Sequence, residues 1–270
     1  MIPSLSITFM FISALICFVG PFVIASIIKG KGFSTWRIFF IGMLGFFITQ
    51  VLIRIPLLQI VSTQNWFITL SDHMVLYFGF LALTAGLFET FGRFMVFKWF
   101  IKRHQDYHDG FMAGLGHGGI EAILLVGFSY ISNIATSLLI NMDMSDALVS
   151  GEEVSEAAIG GLNETIQLLS TTPSAQFLIG GIERIFAISV HTGLSILVLE
   201  GIRRKQICRY LGIAVLFHTL LDFTSVLASE LSGNVLFAEG IALLFAAVAI
   251  YYIIIAKKRF NHLPDIEPIE

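Results

Sequence analysis

Three pairs of ionisable residues stand at i, i+4 spacing inside runs that are otherwise apolar: Glu89 and Arg93, His117 and Glu121, His218 and Asp222. That spacing puts both members of a pair on one helix face. Arg184 and His191, seven apart, share a face in the same way, whereas Glu183 and Arg184 are neighbours and are not expected to face each other along a helix. Hydrolysis of a peptide bond needs a base to activate water, donors to stabilise an oxyanion and an acid for the leaving amine. A glutamate with an arginine one turn away and several histidines can supply all three. Histidines plus a glutamate are also a credible zinc donor set that leaves one position open. A third use is a buried proton relay, substrate path or scaffold without catalysis.

The elements that must carry these groups follow from composition. Of the 270 residues, 56% are hydrophobic and 13% charged, and 26 are Phe. A soluble domain carries about 25% charge, so a soluble globular protein is excluded, as are disordered, collagenous and disulfide-framework classes. The net charge of −3 gives no sign of a nucleic-acid partner. Cys17 and Cys208 read as small hydrophobes. A membrane-crossing helix needs about 20 apolar residues, and seven stretches qualify, near 4–28, 37–61, 72–97, 109–136, 174–200, 207–229 and 235–256. The first has no basic segment before it and is too long for a signal-peptide core. No stretch alternates like a barrel strand, so the fold class is all-α: a polytopic membrane helical bundle of about seven helices. The expected organisation is a single integral membrane domain over 1–270, with core helices at 72–229 carrying the site.

Thirteen of the 16 Lys and Arg lie after helices 1, 3, 5 and 7, and the alternate loops hold none. The positive-inside rule then places the N-terminus outside and the C-terminus in the cytoplasm, in a cell membrane, read as the bacterial plasma membrane. The loop at 137–173 falls on the outer side, is acidic (Glu152, Glu153, Glu156, Glu164) and has a short surface helix expected over 152–169. Asn163-Glu164-Thr165 matches a glycosylation sequon by pattern, and the polar tail at 260–270 receives no function.

Charge inside a bilayer is costly, so each intramembrane ionisable residue is a functional candidate. At 1.5 Å per residue, Glu89, His117 and His191 lie about 12–13 Å from the cytoplasmic ends of their spans, and His218 and Glu121 about 16–18 Å. Groups from four helices thus fall in one layer, with Asp222 somewhat deeper. Glycines such as Gly86, Gly92, Gly114 and Gly118 let those helices approach closely. Arg54, alone near the outer end of its helix, reads as snorkelling or structural.

Several intramembrane protease patterns are absent: HExxH, GxSG and a GxGD motif with a second core aspartate. What remains is ordered. Glu89-Thr90-Phe91-Gly92-Arg93 is followed by Gly116-His117-Gly118-Gly119-Ile120-Glu121, then Glu183-Arg184 and His191-Thr192-Gly193, then His218-Thr219-Leu220-Leu221-Asp222. This order and spacing resemble the YhfC family of bacterial membrane proteins. The resemblance covers about 85–225 and extends to the PrsW proteases and type II CAAX prenyl proteases, whose superfamily includes a non-proteolytic γ-secretase subunit. It implies a glutamate-dependent intramembrane endopeptidase. Glu89 matches the first glutamate of an EExxR/K-like motif, His191 the histidine of the next catalytic helix, and His218 with Asp222 an HxxxN/D motif. Glu121 matches a helix-4 glutamate. Thr90 and Ala122 depart from the pattern, where the family has Glu and Asn.

The resulting expectation has Glu89 as general base, with His191 and His218 completing the catalytic set. Arg93 keeps Glu89 ionised, and His117, Glu121, Arg184 and Asp222 support. Asp222 is expected to reach His218 only indirectly, through another helix turn or a water. No cofactor is required on this reading; the alternative is zinc on His117, His191, His218 and Glu121. The expected partners are the lipid bilayer and a membrane-embedded or membrane-anchored protein substrate.

Overall fold

The computed structural model describes residues 1–102, 105–144 and 156–263. Every regular element among them is helical. Seven helices are long and apolar enough to cross a membrane: α1 Ser4–Gly30, α2 Trp36–Val61, α4 Met74–Phe100, α5 Tyr107–Asn141, α7 Ser174–Arg203, α8 Ile207–Ser232 and α9 Val235–Phe260. Two shorter ones complete the order, α3 Asn65–Ser71 and α6 Glu156–Thr171. Each span lies where its apolar run predicts it. Helix α6 covers the described part of the stretch where a short helix is expected; Glu152 and Glu153 of the acidic loop and the tail beyond 263 lie outside the described residues. Local chemistry ends the spans. Gly233 closes α8 in the left-handed region at φ 64°, which a residue without Cβ adopts at little cost. Asn234 then caps α9, its Oδ1 accepting from the Leu236 amide at 3.0 Å.

The chain divides into two compact units. The smaller comprises Met1–Phe22 and Glu121–Ile185. Its apolar centre is Ile2, Met10, Leu169 and Phe177. Asn141 ties down the start of the chain, accepting from the Ile2 amide at 2.7 Å and donating to the Ile2 carbonyl at 2.8 Å. Ser13 donates to the Phe177 carbonyl at 2.7 Å, and a Cβ on Gly181 would collide with that same serine.

The larger unit comprises Val23–Ile120 and Phe186–Glu270. In it α8 packs against α4 and α9, and α2 against α4. The α7 stretch Val190–Glu200 is buried throughout except at Leu197. Glycine makes this contact close. A Cβ at Gly114 would meet the Thr192 backbone at 2.6 Å, and one at Gly118 the Ile188 Cα at 3.0 Å. α5 and α7 therefore touch backbone to backbone, as small residues permit in membrane helices.

A fully buried carboxylate, Glu200, ties the end of α7 and the turn after it to α9. It accepts from Arg204 Nε at 2.5 Å and from the Tyr252 hydroxyl at 2.5 Å, and pairs with Arg259 at 2.8 Å. Both cysteines are free: Cys17 is buried in α1, and Cys208 is exposed at the first turn of α8.

Candidate active site

Four helices of the larger unit deliver side chains to one buried point, and that point is a single oxygen. Glu89 Oε2 lies 3.0 Å from His218 Nε2, 3.2 Å from His117 Nε2, 3.2 Å from an Arg93 terminal nitrogen and 3.5 Å from His191 Nδ1. α4 carries Glu89 and Arg93, α5 His117, α7 His191 and α8 His218. The imidazoles form a row: the His117 and His191 ring centres are 5.3 Å apart, and those of His191 and His218 5.4 Å. Phe46 packs edge-on against His117. Glu89, Arg93 and all three histidines are at most 5% exposed. A carboxylate so enclosed is tolerable only because cationic and N–H donors surround it.

Arg93 links two members of the set. It donates to His191 Nδ1 at 2.5 Å while contacting Glu89. That nitrogen therefore accepts, and the ring proton of a neutral His191 sits on Nε2. Asp222 Oδ2 is 3.3 Å from His218 Nδ1. The expectation of an indirect contact is corrected to a direct ion-pair distance, at which the two groups do not form a hydrogen bond. Asp222 thereby favours the proton on Nδ1 of His218.

Glu89 Oε1, the other carboxylate oxygen, accepts from Gln50 Nε2 at 2.9 Å. Gln50 is buried in α2 and in turn accepts from Arg54 at 3.1 Å. Arg54 is anchored by the Leu81 carbonyl at 2.7 Å and Thr84 Oγ1 at 3.2 Å. Of the two readings of Arg54, snorkelling or structural, the contacts bear out the structural one: it fixes the orientation of the amide that holds Glu89. Both Gln50 and Arg54 lie in a π-helical segment of α2, Phe47–Arg54. Such widened turns are frequent at functional sites. Sequence reasoning passed over Gln50 because an uncharged amide in an apolar run carries no strong signal.

Glu121, Glu183 and Arg184 form a separate cluster within the smaller unit. Arg184 contacts Glu121 at 3.5 Å and pairs closely with Glu183. The expectation that Glu183 and Arg184 do not face each other is corrected, since the long arginine bends back to its neighbour.

The donor set fits a metal ion. Ligand atoms of Glu89, His117 and His191 all lie within 4.8 Å of one another. Zinc–nitrogen and zinc–oxygen bonds of about 2.0–2.2 Å in a tetrahedron imply donor separations of about 3.3–3.5 Å. The contacts of Glu89 Oε2 with His117 and His191, 3.2 and 3.5 Å, are close to that. Of the zinc set read from sequence, His117 and His191 belong to this group, Glu89 is its carboxylate, and His218 and Glu121 are not among its three members.

The profile of the family described as "YhfC intramembrane metalloprotease" matches residues 13–256. The chain belongs to the YhfC family. A relative from Bacillus subtilis (strain 168), "Uncharacterized membrane protein YhfC", is 34% identical over 266 residues, spanning 97% of this chain and all of the relative. No solved structure matches. Membership of this family, with seven apolar helices of spanning length, makes the chain a multi-pass membrane protein of the protease class. The family's description as a metalloprotease and the Glu/His/His donor set both fit the zinc alternative better than the cofactor-free expectation.

Proposed function

We propose that this YhfC-family protein is a metal-dependent intramembrane endopeptidase whose ligands are Glu89, His117 and His191. The observation that carries the reading is the convergence of these three buried donors on one point, where two histidines and a glutamate reproduce a catalytic zinc set with an open position. When bound, a divalent ion supplies Lewis-acid polarisation of the scissile carbonyl and of the attacking water.

The chain's own residues supply the remainder. Gln50 holds Glu89 Oε1, which leaves Oε2 to face the imidazoles. His218, with Asp222 behind Nδ1 and Nε2 turned to the centre, is placed to take a proton from water and return it to the leaving amine. Arg93 offers a fixed positive charge to the developing oxyanion. Burial keeps bulk water from weakening these interactions. The substrate class is a membrane-embedded or membrane-anchored polypeptide, because the groups that would react with it are buried within spanning helices.

One observation favours a second reading. Arg93 already stands among the donors, 3.2 Å from Glu89 and 2.5 Å from His191, so Glu89 could act as a general base neutralised by the guanidinium and without metal. Both readings require the carboxylate, and metal content separates them. Protein purified from membranes is assayed for bound zinc and for new peptide termini in the membrane proteome, in wild type and Glu89→Gln. The metal reading expects about one zinc per chain, lost with Glu89→Gln and on chelation, with cleavage lost in parallel. Cleavage that persists without metal transfers the role to Glu89 as base. Cleavage by folded Glu89→Gln overturns both.

A further inference from the structure

A groove of about 470 Å³ runs along the seam between α4 and α8, lined by Leu83, Leu87, Thr90, Phe91, Val215 and Thr219 among others. Its walls are apolar, and its two threonines keep their hydroxyl oxygens buried at the seam between the helices. Thr90 is 2% exposed, and neither Thr90 Oγ1 nor Thr219 Oγ1 has a hydrogen-bond partner among the described residues. This is unusual within the protein itself. Thr49, Thr192 and Thr224 each donate to the carbonyl four residues back, at 2.8, 2.7 and 2.6 Å, the ordinary resort of threonine in a membrane helix. Thr90 and Thr219 leave that bond unmade, and both line the groove.

Their positions tie the groove to the proposed site. Glu89 and His218 meet across the seam at 3.0 Å, and Thr90 and Thr219 are the next residue on each helix. One residue is about 100° of arc, so the reacting groups and the hydroxyls occupy adjoining strips of the same two helices. Gly86 holds the seam closed: a Cβ there would lie 2.6 Å from Thr219 Oγ1 and 3.0 Å from the Val215 carbonyl.

We infer that this groove is the substrate-binding cleft, and that Thr90 and Thr219 hydrogen-bond the unwound backbone of a membrane-embedded polypeptide segment. The inference rests on the protease reading and names where its substrate lies. A hydroxyl both donates and accepts, which matches a peptide backbone stripped of its own helical bonds. In lipid such a backbone must find partners in the protein. An acyl chain would fill the volume but leave both hydroxyls unmet. The flanking leucines, Phe91 and Val215 select apolar side chains. Thr90 thus serves as a binding residue.

The test uses full-length protein in phosphatidylethanolamine–phosphatidylglycerol vesicles. The probe is a synthetic spanning peptide of about 23 residues, rich in leucine and alanine, interrupted by a central Gly-Gly-Ser and carrying a diazirine leucine. A continuous helix of equal length is the control. Binding is read as photocrosslinks to α4 and α8 in a Glu89→Gln background, and cleavage with Glu89 intact. The interrupted peptide should crosslink in preference to the control. Thr90→Val with Thr219→Val should weaken this about tenfold, the effect of one or two buried hydrogen bonds. The Thr90→Ser, Thr219→Ser pair should retain it, which excludes misfolding. Equal crosslinking of both peptides, or indifference to the valine pair, overturns the cleft, whether or not cleavage occurs. Hydroxyl-dependent binding with no cleavage by the Glu89 protein supports the cleft and counts against the protease reading. Cleavage without any crosslink to α4 or α8 overturns the cleft alone, and absence of both binding and cleavage overturns it together with the reading on which it rests.

Discussion

Arg93 competes, at the scale of single residues, for the atoms that a metal ion would need. It donates to His191 Nδ1 and contacts Glu89 Oε2, and a divalent ion held by those two ligands would face a fixed like charge. Two unit charges about 4 Å apart interact with roughly 4 kcal/mol at an effective dielectric near 20. Neutralising that charge should therefore tighten metal binding. Arg93→Gln is expected to raise zinc affinity by well over tenfold, measured by competition with a chromophoric chelator, while reducing cleavage through loss of the oxyanion donor. Unchanged or weaker zinc binding would mean that Arg93 orients His191 as a ligand instead of opposing the ion. Asp222→Asn tests the neighbouring role. It should leave zinc content unchanged and lower kcat by about 10²–10⁴, the range for loss of acid–base assistance, because it acts only behind His218.

At the scale of elements, the π-helical segment of α2 brings a fifth helix to a site that four helices build. Gln50 holds one oxygen of Glu89, and Arg54 holds Gln50. Partners that orient a ligand typically account for 10–100-fold in metal affinity. Gln50→Leu should cost zinc affinity in that range, and Arg54→Met less, in the same direction. A Gln50→Leu protein with native affinity would show that Glu89 is oriented by the imidazoles alone. This element also marks the limit of what the sequence disclosed. The seven spans were legible because about 20 apolar residues in a row have few other uses. Glu89, the three histidines and Asp222 were legible because charge in such runs is rare. A π turn has no hydrophobic period of its own, and one glutamine in an apolar run resembles many incidental polar residues. Glu200 was missed for another reason: at a span end a charge is expected to reach water, yet this one is buried. It binds Arg204, Arg259 and Tyr252, and the asymmetry of its partners predicts how it fails. The arginine side chains are 32% and 40% exposed and can turn to solvent when Glu200→Gln removes their anion. The carboxylate cannot turn. Arg204→Met with Arg259→Met should therefore destabilise by about 3–5 kcal/mol and Glu200→Gln by about 1 kcal/mol, compared as unfolding in detergent. Equal losses would mean that the pairs act as packing and not as charge compensation.

At the scale of the whole molecule, the orientation in the bilayer decides from which side a substrate reaches the site. The sequence bears on this through charge asymmetry alone. Lys and Arg are concentrated in the connections after α1, α4, α7 and α9, and the connections after α2 and α8 have none. Loops rich in Lys and Arg remain in the cytoplasm, so we propose an external N-terminus and a cytoplasmic C-terminus. The native cysteines make this testable with little engineering. Cys208 is exposed beside the basic Arg203–Arg209 connection, and Cys17 is buried within α1. In intact cells a membrane-impermeant maleimide should leave Cys208 unlabelled, and it should react once the cells are opened. Ser62→Cys in a Cys208→Ser background, placed in the exposed turn after α2, should react in intact cells. The reverse pattern would invert the topology. It would also shift the layer of Glu89, His117 and His191 from the cytoplasmic half of the bilayer to the outer half, and the substrates to look for would then be those presented from outside.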